Sequence, residues 1–150
     1  MDEKRGYIRK AFQMYVTYKN QLSVWGQELK TMPIPGQSGL DYSHECLSNG
    51  NENGVETQFA NYAQRSADLR ERIAGVSKQV ELVRRTIEHF KLEHKAKGKK
   101  HYDYICARWL KRMSYHRAAI ECGIPERTSD FWIEEIFTIA EAIADEYNLF

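Results

Sequence analysis

Cysteine is scarce in this 150-residue chain, and the three present, Cys46, Cys106 and Cys122, form no C-x-x-C pair. An odd, widely spaced set of thiols excludes a disulfide framework and fits a reducing compartment. Proline is equally rare, with Pro33 and Pro35 close together and Pro125 alone, so little interrupts helix elsewhere. No apolar run approaches the roughly 18 residues of a membrane span, and the opening "MDEKRGYIRK" lacks the apolar heart of a signal peptide. A cytoplasmic protein without a membrane partner is expected. Catalytic signatures are missing too: there is no Gly-rich phosphate loop, no H-E-x-x-H and no nucleophile elbow, and the acidic residues scatter along helix faces. Neither an enzyme nor a cofactor is expected. His44 and Cys46 in "SHEC", with His89, His94 and His101, invite a zinc reading. The spacing opposes it, because two helical residues five apart, such as His89 and His94, point about 140° away from each other.

What the chain does have is helical periodicity. Apolar and aromatic residues step by three and four through Ile8, Ala11, Tyr15, Tyr18, Leu22, Trp25 and Leu29. A second series runs Val55, Phe59, Tyr62, Ser66, Leu69, Ile73, Val76, Val80, Val83, Ile87 and Phe90. Between them, Thr31 to Gly54 is rich in Gly, Asn, Ser and Pro and reads as a long loop. The two series predict an antiparallel, coiled-coil-like hairpin of helices 3–30 and 55–95. The uncovered length of the longer helix is expected to pack on the C-terminal part or on a second copy, as in a homodimer. Gly98 among lysines in "KAKGKKH" closes the long helix, and three further helices are predicted at Tyr102–Arg112, Tyr115–Glu121 and Arg127–Tyr147. The fold class is therefore all-α, an elongated hairpin over 1–97 followed by a three-helix unit over 98–150.

Net charge is only +1 in total but uneven along the chain. Residues 91–117 hold nine Lys and Arg against two acidic residues, and residues 118–150 hold one against eight. Such a basic block is an electrostatic footprint for phosphate. Here it comprises Lys97, Lys99, Lys100, Arg108, Lys111, Arg112 and Arg117, interleaved with His101, Tyr102, Tyr104 and Trp109. It leads into "SYHRAAIECGIPERTSDFW", which meets the demands of a helix-turn-helix. Ser114 can cap the first helix, Ala119 is small enough for a close crossing, and Gly123 tolerates positive φ at the turn. Ala118, Ile124 and Trp132 supply core contacts, and Pro125 suits the entry of the next helix. Duplex DNA is the expected partner, with affinity supplied by the basic block. In such a motif bases are read from the start of the second helix. Arg127 suits guanine, and Asp130 or Glu126 can accept from cytosine.

The layout also resembles the phage late-transcription regulators of the ArpU and RinA type. The stretches that carry the likeness are "GVETQFANYAQ", "YDYICARWLKRMSYHRAAIECGIPERTSDFW" and "IFTIAEAIADEYNLF", with recognisable residues over about 102–147. The family's turn pattern I-S-x-R-T-x-x-x-W is matched by Ile124, Pro125, Glu126, Arg127, Thr128, Ser129, Asp130, Phe131 and Trp132, with Pro125 where serine is common and Ser129 where a β-branched apolar residue usually packs. The resemblance implies a helix-turn-helix like region 4 of bacterial sigma factors, with Arg127, Thr128, Ser129 and Asp130 near base edges. It also implies an activator that binds upstream of a late promoter in the bacterial host cell and recruits host RNA polymerase. Two other readings stay open on the residues alone, a small-terminase-type packaging subunit and a helical protein-protein module. The apolar stripe Trp132, Ile136, Ile139, Ala140, Ile143 and Tyr147 is expected to be buried, leaving Glu134, Glu141, Asp145 and Glu146 outside, either facing a basic partner or neutralising the basic block.

Overall fold

The computed structural model describes residues 2–34 and 52–150, and every regular element among them is helical. The helices are α1 (Asp2–Gln13), α2 (Tyr15–Thr31), α3 (Glu52–Lys97), α4 (His101–Ile105, continued by a π-helical turn Cys106–Leu110), α5 (Tyr115–Glu121) and α6 (Glu126–Tyr147). The all-α class read from the heptads stands. The single helix expected over 3–30 is instead two consecutive helices meeting at Met14. The ladder is unbroken there, since Met14 N–H donates to the Lys10 carbonyl at 2.9 Å and Tyr18 N–H to the Met14 carbonyl at 2.7 Å. Of the loop expected over Thr31–Gly54, residues 35–51 lie outside the described residues, as do His44 and Cys46, and α3 already begins at Glu52.

Packing divides the chain into two compact units, Met1–Asn20 with Val76–Phe150, and Gln21–Gly75. This is not the division expected at residue 97. The first unit has one core, which Ile8, Ala11, Phe12 and Tyr15 share with Leu82, Val83 and Phe90 of α3 and with Tyr104, Ile105, Trp109, Ala118, Ile136, Phe137 and Ala140. Phe12 is fully buried, its ring centroid 4.8 Å from Trp109 and 5.4 Å from Phe137. Aromatic rings of this size dominate core burial, so α1 is structural to the C-terminal helices. In the second unit, Met32, Ser66 and Leu69 are buried, and Arg65 stands 3.9 Å from Glu28 between α2 and α3.

The turn joining α5 to α6 follows from its residues. Ser114 Oγ accepts from Arg117 N–H at 3.2 Å, the N-cap expected of it. At the other end, Gly123 N–H donates to the Ile120 carbonyl and Ile124 N–H to the Ala119 carbonyl, both at 3.0 Å. This is a Schellman closure with Gly123 left-handed at φ +67°. A β-carbon there meets no atom within 4 Å, so backbone strain alone resists substitution. Gly123→Ala is expected to lower unfolding free energy by about 1–2 kcal/mol in urea denaturation; no change in midpoint contradicts a left-handed turn.

Candidate nucleic-acid interface

The α5–turn–α6 pair is built as the residues suggest. Ala118 and Ala119 are buried, letting α6 cross close by, and Ile124 and Trp132 pack on the same core. Pro125 caps α6 in extended geometry, and its carbonyl accepts from Ser129 N–H at 3.1 Å. The Tyr115 hydroxyl lies 2.7 Å from both Asp130 Oδ1 and the Glu126 carbonyl oxygen, two acceptors sharing one proton. That bond to Asp130 pushes the phenol up to about 12. His116 Nδ1 meets the Glu126 carboxylate alongside.

These contacts involve two residues expected at the reading face: Asp130 and Glu126 are bonded to α5 and both remain exposed. Ser129 is fully buried, on the same side of α6 as Ile136 and Ala140, which corrects its expected place on the outward face. Thr128 is half-buried, and Arg127 is exposed with no ion-pair partner among the described residues. The outward face of α6 continues as Phe131, 60 % exposed, then Glu134 and Glu135.

The basic block also sorts into two kinds of residue. Lys97, Lys100, Lys111 and Arg117 are exposed and unpaired among the described residues. Lys100 and Lys111 line one surface depression with Asp103, Glu121, Cys106 and Cys122. Burial pushes the Cys122 thiol up, as befits a packing residue. The other basic residues have structural tasks. Lys99 faces Glu93 at 3.7 Å. Arg108 Nη1 donates to the Met113 carbonyl at 3.0 Å, holding the end of the π-helical turn. Arg112 reaches Thr17 Oγ1 from a left-handed backbone, φ +57°. Of the four interleaved aromatics, all but the half-buried Tyr102 lie in the core. Tyr104 is fully buried, Trp109 is nearly so, and His101 is stacked between Phe90 at 5.5 Å and Trp132 at 4.6 Å.

Three carboxylates of the acidic C-terminal helix are paired from an unexpected quarter. Arg5 reaches Glu134 at 3.0 Å and Glu141 at 2.7 Å, and Lys4 pairs with Asp145. The cations come from α1 and not from residues 91–117. Tyr147 leaves the buried stripe, 45 % exposed beneath the Arg85 guanidinium, 3.8 Å from its ring centroid. Among the described residues no group of three or more His, Cys, Asp and Glu is arranged to hold a metal, and no helix is long and apolar enough to cross a membrane. No family model, curated protein or solved structure matches the chain.

Proposed function

We propose that the protein is a DNA-binding transcriptional regulator, of the kind implied by its resemblance to phage late-gene activators. The observation that carries the reading is a capped α5, a left-handed Gly123 turn and α6, accompanied by five exposed, unpaired cations: Lys97, Lys100, Lys111, Arg117 and Arg127. Non-specific DNA affinity needs only such unpaired charge, because each phosphate contact releases condensed counterions. Arg127, in the first turn of α6, remains the candidate for a guanine contact. A homodimer belongs to the same proposal: Val24 and Phe59 in the Gln21–Gly75 unit are 61 % and 48 % exposed, and pairing of copies covers apolar surface of this kind. Recruitment of host polymerase also belongs to it. Glu134, Glu141 and Asp145 pair with α1, yet Glu134 and Asp145 keep most of their side chains in water, so the acidic face of α6 stays open to a partner.

The test is retention of a labelled duplex across a salt series. Five phosphate contacts give a log–log slope of about −4 to −5, a loss on the order of 500-fold between ~50 and ~200 mM salt. A slope shallower than about −1, or no binding at low salt, overturns the reading in favour of a helical protein-protein module.

A further inference from the structure

The outward face of α6 is poorly suited to DNA, yet it borders a groove. The groove encloses about 320 Å³ and is lined by Phe90 and Glu93 of α3, Lys99, and Phe131, Glu134, Glu135, Thr138 and Ile139 of α6. Its apolar lining is Phe90, Ile139 and the Phe131 ring, and Phe131 is among the most exposed large apolar side chains described. Carboxylates surround it. Each has a neighbour in the fold: Glu93 has Lys99 at 3.7 Å, Glu134 has Arg5 at 3.0 Å, and Glu135 has His101 Nε2 at 3.1 Å. Glu134 and Glu135 nevertheless keep 70 % and 55 % of their side chains in water. Their partners His101 and Arg5 are the more buried members of each pair, so the water-facing lone pairs of the carboxylates can accept further donors while those bonds stay in place.

We infer that this groove docks an amphipathic helix of a partner protein. The helix would insert an apolar side chain between Phe90 and Phe131 and set lysines or arginines against Glu134 and Glu135. Charge decides the class of occupant. Counting Lys99 and the Arg5 guanidinium beside Glu134 and Thr138, the three carboxylates still outnumber the lysine and arginine side chains, and an excess of this sign favours a basic protein surface over phosphate. Shape agrees, because residues 131–139 of α6 span two helical turns, about 12 Å, alongside the end of α3. An apolar anchor entering a groove between helices, with polar contacts at the rim, is a recurrent mode of helix recognition. The groove's lining does not include Lys97, Lys100, Lys111 or Arg117, while Arg127 stands one helical turn before Phe131 on α6, at the groove's edge.

The probe is a synthetic helical peptide of about 16 residues, long enough for four turns, with Leu at i and i+4 on one face and Arg beside it. A second peptide with Glu in place of Arg is the comparison. With the full-length protein, amide resonances of Phe131, Glu134, Glu135 and Ile139 should shift with the basic peptide. The acidic peptide should bind about tenfold or more weakly. Phe131→Ala, at a solvent-facing position, should keep the melting temperature and weaken the peptide about tenfold. The double variant E134Q/E135Q should flatten the salt dependence of peptide binding. Equal binding of the two peptides, failure of the basic one to bind, or indifference to Phe131→Ala overturns the proposal. So does loss of duplex DNA binding in Phe131→Ala or E134Q/E135Q, which makes the face a DNA surface instead; wild-type DNA binding is measured separately and tests the regulator reading by itself.

Discussion

Phe12→Ala is expected to remove about 3–5 kcal/mol from the unfolding free energy of the Met1–Asn20 and Val76–Phe150 unit. The ring is fully buried and fills the space between Trp109 and Phe137, at 4.8 and 5.4 Å. Deleting it leaves a cavity bounded by rings that are themselves fixed by other aromatics, such as Tyr104 against Trp109 at 6.0 Å, so the site collapses poorly. Domains of this kind hold about 5–15 kcal/mol in total, so the variant should be partly unfolded at 37 °C. Urea denaturation followed by near-ultraviolet dichroism of the tryptophans measures it. A loss below about 1 kcal/mol means that α1 merely lies against a C-terminal domain that folds alone, the organisation the sequence suggested. The same reasoning forecasts that a fragment of residues 98–150 does not fold, since it lacks every partner that α1 and α3 supply to the core.

That contrast shows where the sequence was legible. Local chemistry was readable: the heptad positions Ile8, Ala11, Tyr15, Val83 and Phe90 are buried, and Ser114, Ala119 and Gly123 do what their residue types suggest. These features depend on neighbours within a turn or two of helix. Phe12 was missed because it stands beside the heptad seam, where a two-helix reading has nothing to cover it. It is buried because α6 and the π-helical turn supply a second packing partner. The domain boundary was misplaced for the same reason, as no local signal reports a contact between residue 12 and residue 137. Ser129 could have been placed by periodicity, since it is seven residues before the buried Ile136 and shares its side of α6. Assignment to a reading helix concealed that count. The charge blocks were correctly summed, but a sum does not say who pairs with whom. Lys4 and Arg5 pair with three of the carboxylates of the acidic end, and part of the basic block has no ion-pair partner among the described residues.

The second large effect concerns those unpaired cations. Replacing Lys97, Lys100, Lys111 and Arg117 together by glutamine should leave the fold intact, because all four are exposed and make no ion pair among the described residues. Four lost phosphate contacts should weaken duplex binding on the order of 10³-fold at ~0.1 M salt, for every DNA sequence alike. Lys99→Gln should do much less, since that ammonium already faces Glu93 at 3.7 Å. Lys97 sits on α3, Arg117 on α5, and Lys100 and Lys111 in the connections flanking α4, so a shared effect on DNA binding also tests whether these elements present one surface. The most direct measurement is the slope of log affinity against log salt for the wild type and the fourfold variant on the same duplex. The account predicts a slope flattened by about 3 to 4 units in the variant. An unchanged slope would contradict it, because DNA would then be held by residues other than the ones the fold leaves free.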